Sequence, residues 1–172
     1  KNSISLPGAP VTHPSQRDDE AMVRAHHTTE KVVEFYRAVF ERNSLDNLGM
    51  TLISSLHYMV RYANAYWDGK QMVYGDGDGA IGGFTEALDI IAHELSHGVT
   101  QHLIPGGLGV ARIPVKEREF KEQKYTLKGQ AGALNESFSD VFASMVKQWH
   151  GKQTVDQADW LIGEGLLTSK VQ

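Results

Sequence analysis

Two apolar helical segments each carry a pair of ionisable residues four positions apart, and few folds can bury both pairs at once. In the first, Leu88, Ile91, Ala92, Leu95 and Val99 recur as an apolar stripe behind Thr85, a candidate N-cap. His93 and His97 interrupt that stripe within DIIAHELSHGVT. In the second, beginning near Ala131, Leu134, Phe138, Val141, Phe142, Met145 and Trp149 accompany Glu136 and Asp140. Residues at i and i+4 stack on one helix face. Burying one carboxylate on such a helix is costly and burying two together costs more, an objection that a nearby cation removes.

His93 and His97 can present ring nitrogens to one ion, and Glu94, one position round, can reach a water without ligating. The pattern His-Glu-x-x-His carries zinc-dependent hydrolysis by this arrangement. Alone it also fits a half-buried helix whose histidines bond to solvent or backbone. The second helix adds Glu136 as a third ligand, and Asp140 to accept the remaining N–H of a liganding histidine. The chain contains no cysteine, which excludes a thiolate site or a disulfide scaffold and leaves His, Asp and Glu as ligands.

The 172 residues suit one ordinary domain or two small ones, and 41% hydrophobic with 22% charged residues is a globular balance. A net charge of −4 argues against nucleic acid or an anionic membrane as the main partner, and no apolar run is long enough to span a bilayer. The start, KNSISLPGAPVTHP, lacks the apolar core of a signal peptide. Residues 1 to 18 read as an irregular arm, and a helix is expected from Asp18 or Asp19 through Phe40. TLISSLHYMV, YANAYWDG and KQMVYG read as extended segments, with a hairpin turn at Asp68-Gly69. GDGDG at 75–79 resembles part of a calcium loop but lacks its spacing, so a plain turn is expected. The histidines at 13, 26, 27 and 57 lack a partner motif, and Tyr66 and Trp67 read as packing residues.

HELSHGVTQH followed by GQAGALNESFSD resembles the catalytic segment of the thermolysin-like (M4) zinc metallopeptidases, and SLHYMVRYANAYWDGKQMVYGDGDG resembles the strands and turn that precede it there. The resemblance implies an α+β fold, with a mainly antiparallel sheet packed on the zinc helix. It implies His93, His97 and Glu136 as zinc ligands, Glu94 as the base, and Asp140 and Asn135 behind the ligands. Asn64 and Ala65 match the edge segment that binds a peptide substrate by strand addition, and cleavage is expected before a large apolar residue. Asp89, Asp159 and Glu164 match calcium positions, but Lys147 and Leu161 stand where further acids are expected. The Lys147 ammonium can neutralise the cluster in place of a second ion, so one calcium at most is anticipated. The family's setting implies a secreted bacterial enzyme.

The chain also departs from the family pattern. His97 and Glu136 are 39 positions apart, wider than the family spacing, so 103–127 is read as an inserted loop or arm within a thermolysin-like domain spanning 1–172. A long segment of this kind is a candidate partner contact. Leu127 occupies the place of a tyrosine that assists the transition state, with Tyr125 two residues out of register. The family's mostly helical second domain, which supplies an oxyanion-binding histidine, is expected to be absent from this chain. Loss of such a donor costs about 10²–10³ in rate. Two functions remain open: a zinc endopeptidase, or a zinc-binding scaffold with little turnover.

Overall fold

The computed structural model describes residues 6, 11, 19–112 and 125–167. Its elements run α1 (Glu20–Phe40), β1 (Ser54–Ser55), β2 (Ala65–Trp67), β3 (Met72–Tyr74), α2 (Leu88–Leu103), β4 (Val110–Arg112), β5 (Tyr125–Leu127) and α3 (Gly129–His150), with a 3-10 turn after them at Val155–Gln157. This is the expected α+β arrangement. The arm at 1–5, 7–10 and 12–18, with His13, and the charged run at 113–124 lie outside the described residues.

α1 begins where the sequence places it. Asp19 accepts from the backbone of Ala21 (2.8 Å) and Met22 (3.3 Å), satisfying two otherwise unpaired donors of the first turn. Val32, Phe35 and Tyr36 on its inner face meet Ile91, Ala92 and Leu95 of α2, Ala143 and Val146 of α3, and Met72 and Tyr74 of β3 in one core. Tyr36 donates to Ser96 Oγ (2.6 Å), which in turn donates to the Ala92 carbonyl (2.6 Å), so a buried hydroxyl pair is satisfied between α1 and α2.

The three-stranded sheet has the order β1-β3-β2, with β1 parallel and β2 antiparallel to β3. The hairpin at Asp68-Gly69 pairs Trp67 with Met72. Asp68 ties the turn by accepting from the backbone of Lys70 and Gln71. β2 is thus an edge strand beside α2. A second ribbon pairs β4 with β5.

Two expectations are corrected. α2 starts at Leu88 with Ala87 at its N-cap and no side-chain cap, because Thr85 belongs to the preceding turn, where its carbonyl accepts from Thr28. On α3, the face turned inward is the small and polar one, with Gly132, Asn135, Ser139, Ala143 and Ser144 buried. The periodic apolar residues Leu134, Phe138 and Val141 are instead 46%, 42% and 41% exposed. Small side chains let α3 approach α2 closely, and this is the most extensive contact between two elements.

Candidate metal centre

The close α2–α3 approach brings the sequence-selected residues together. His93 and His97 project from successive turns of α2 with ring centroids 4.7 Å apart. Their Nε2 atoms are 3.0 Å from each other and lie 3.1 and 3.6 Å from Glu136 Oε2. Among the described residues, these three form the group of His, Asp and Glu able to hold a metal ion.

The outer ring nitrogens decide what faces inward. His93 Nδ1 lies 2.8 Å from Asp140 Oδ1, and a carboxylate can only accept, so Nδ1 carries the proton. His97 Nδ1 lies 2.9 Å from Asn135 Oδ1. That amide is oriented by its own Nδ2, which donates to the Leu108 carbonyl (2.9 Å), so His97 also donates outward. Ser139 Oγ stands 3.0 Å from the same nitrogen. Burial holds His97 below the ordinary imidazole range, which keeps it neutral. In the neutral imidazole form that metal ligation requires, both Nε2 atoms present lone pairs to each other and to a carboxylate oxygen. Such an arrangement repels itself unless a cation joins the three. Bonds of about 2.0–2.1 Å at tetrahedral angles would set the donors about 3.3 Å apart, and the observed separations bracket that value. Two imidazoles and one carboxylate suit zinc.

Glu94 sits beside this group. Its Oε2 accepts from the backbone N–H of Trp67 on β2 at 2.9 Å. Burial pushes its carboxyl up to about 7, aided by the charge of Glu136, while His93 and the Trp67 amide act in the opposite direction. A cation at the three donors would draw it down again.

Residues 10–101 match the family model described as "Thermolysin metallopeptidase, catalytic domain". The chain belongs to the thermolysin metallopeptidases. Residues 124–172 match the description "Thermolysin metallopeptidase, alpha-helical domain". The chain is 42% identical over 175 residues to Protease PrtS of Photorhabdus sp. (strain Az29), covering 100% of this chain and 42% of that protein. It is 45% identical over 169 residues to the extracellular metalloprotease of Pectobacterium carotovorum subsp. carotovorum, covering 96% of this chain and 43% of that protein. Among solved structures it is similar to the precursor of protealysin, a metalloproteinase from Serratia proteamaculans, with a TM-score of 0.79 and 46% identity. That match covers 96% of this chain and 46% of that one. The chain spans less than half the length of these relatives.

The second family match corrects one expectation. The helical domain is not wholly absent from this thermolysin metallopeptidase chain, because α3 and the residues after it fall within the matched stretch. The physical reason is the donor set itself. His93 and His97 lie in the catalytic-domain match and Glu136 in the helical-domain match, so the third donor comes with the first helix of the second domain.

The remaining expected site residues are dispersed over the fold. Ala65 is buried on edge strand β2, and Asn64, just before it, is exposed, with Oδ1 accepting from the Ala65 N–H. The structure does not gather Asp89, Asp159 and Glu164 into a metal-binding group. The cation between the first two is the ammonium of Lys147, 2.7 Å from Asp159 and 3.8 Å from Asp89, and it also donates to the Leu161 carbonyl. Asp89, with its side chain only 5% exposed, accepts further from the Ile90 and Gly163 amides, whereas Glu164 is exposed. His57 pairs with Asp76 (2.8 Å) and Asp19 (3.4 Å). His150 donates to the Lys31 carbonyl on α1.

Sequence reasoning missed Ser139, the Leu108 carbonyl and the Trp67 backbone. Ser139 stands four residues after Asn135 and so shares its face, a signal that was readable. The other two act through main-chain atoms, which side-chain identity does not reveal. The ribbon that delivers Leu108 is held by its backbone. Lys128 N–H donates to the Gly109 carbonyl, and a Cβ on Gly109 (φ 71°) would lie 2.1 Å from the backbone nitrogen of Gly132 on α3.

Proposed function

We infer that this chain is the zinc-bearing part of a metalloendopeptidase. The observation that carries the reading is the convergence of one ligand atom each from His93, His97 and Glu136 within 4.8 Å of one another, beside a carboxyl held at the edge strand. His93, His97 and Glu136 hold the zinc, oriented by Asp140 and Asn135. The ion would lower the pKa of a water and polarise a substrate carbonyl when bound.

The chain's own groups do the rest. An extended peptide adds to the free edge of β2, where Asn64 and Ala65 meet its backbone. Glu94, with one oxygen fixed by Trp67, takes the proton released as the water oxygen bonds to the carbonyl carbon. It passes that proton to the nitrogen as the C–N bond breaks. The family resemblance supports cleavage before large apolar residues. Secretion is supported by the Pectobacterium relative, which is named an extracellular metalloprotease.

A second reading, a zinc-binding module with little turnover and a partner contact at 103–127, is favoured by Leu127 at the position where the family pattern has a tyrosine. One experiment separates the two. Elemental analysis is expected to give about one zinc per chain. Cleavage of an unstructured protein is expected to stop with a chelator, and to stop in Glu94→Gln with the zinc retained. Retained zinc with no cleavage in either form would leave the module reading standing. Absence of zinc would overturn both.

A further inference from the structure

Gln101 stands one helical turn beyond His97, on the same stripe of α2 as both histidines. Both ends of its amide are used against the β2–β3 hairpin. Its Oε1 accepts from the indole N–H of Trp67 at 2.9 Å, and its Nε2 donates to the Gly69 carbonyl at 3.0 Å. Those bonds cannot both be made with the amide reversed, so its orientation is fixed.

The indole is confined from a second side. A Cβ built on Gly98 would lie 3.3–3.4 Å from the Trp67 ring and 2.6 Å from Leu45 Cδ1, so the ring packs on nearly bare helix backbone. The hairpin itself is braced. Asp68 Oδ2 accepts from Gln71 Nε2, and Gln71 Oε1 accepts from Ser55 on β1. The clamped residue, Trp67, is also the one whose backbone N–H donates to Glu94 Oε2.

We propose that Gln101 is a positioning residue for Glu94: by gripping the Trp67 indole and the Gly69 carbonyl together, it sets the edge strand against α2 and so fixes which Glu94 oxygen is held and which is left to face the water. This rests on the reading of Glu94 as the base. Both hydrogen bonds of the Gln101 side chain go to the hairpin, so its effect on Glu94 travels through the strand. Hydrogen bonds of this kind orient reacting groups, and small displacements of such groups slow turnover steeply.

The test compares Gln101→Leu, which removes both bonds at similar volume, with Gln101→Glu, which keeps the acceptor for the indole. Hydrogen exchange of the Trp67 indole and backbone N–H groups is read by NMR, alongside zinc content and steady-state cleavage. Gln101→Leu is expected to speed exchange at both Trp67 sites about tenfold or more and to lower kcat about tenfold, with KM within about twofold and zinc content unchanged. Gln101→Glu is expected to recover protection of the indole and part of kcat. Faster indole exchange with an unchanged Trp67 amide and unchanged kcat would overturn the proposal, as would a loss of zinc that accounts for the lost rate. If the wild type cleaves nothing, the peptidase reading fails by itself. The proposal is then decided by the Trp67 amide, whose protection must fall in Gln101→Leu for the clamp to stand.

Discussion

Glu94→Gln, unfolded in the absence of metal, tests whether burial controls this carboxyl. The folded protein pushes Glu94 from an ordinary value of 4.5 up to about 7, chiefly by desolvation. The neutral form is therefore favoured in the fold. Its contribution to stability is complete below pH 4.5 and is lost as pH rises through about 7. Each pKa unit corresponds to about 1.4 kcal/mol, so the full window amounts to at most about 3 kcal/mol, and less where water reaches the part-buried group. Glutamine cannot ionise, and it keeps an oxygen for the Trp67 amide. Urea unfolding in chelator is expected to show the two proteins nearly equal at about pH 4.5, with the variant more stable by up to about 3 kcal/mol near pH 8. Zinc should shrink that gap by stabilising the anion. An equal difference at both pH values would refute the argument, because His97, the other perturbed group here, is present in both proteins.

Asp140→Asn should weaken zinc binding about 10–100-fold in competition with a chromophoric chelator, because the His93 imidazole loses the acceptor that fixes its tautomer. Lys147→Met should destabilise the fold by about 2 kcal/mol in urea titration, since it leaves the buried Asp89 and its neighbour Asp159 without their cation. Calcium should then raise the Tm of that variant more than that of the wild type. Gly109→Ala should cost about 2–4 kcal/mol by thermal unfolding, because it puts a side chain at positive φ against the α3 backbone.

The metal group was legible because a helix converts a spacing of four into a shared face, and His93, His97, Glu136 and Asp140 all obey that rule. The hairpin at Asp68-Gly69 was legible for a similar reason, since its turn chemistry is local. The orientation of α3 was not. Periodicity finds the apolar stripe of Leu134, Phe138 and Val141, but only the docked partner decides that Asn135 and Ser139 turn inward instead. The calcium expectation set the Lys147 ammonium against the acids in place of a second ion. The structure adds its reach, which brings Nζ between Asp89 and Asp159. Trp67 was read as packing, which its ring does, while its backbone serves Glu94.

The β4–β5 ribbon is anchored at the foot of α3 almost entirely through main-chain atoms: the ladder, Lys128 to Gly109, the Gly109–Gly132 approach and the Leu108 carbonyl. A labelled side chain at Val110 on β4, which is 38% exposed, can therefore be mounted without altering those anchoring atoms.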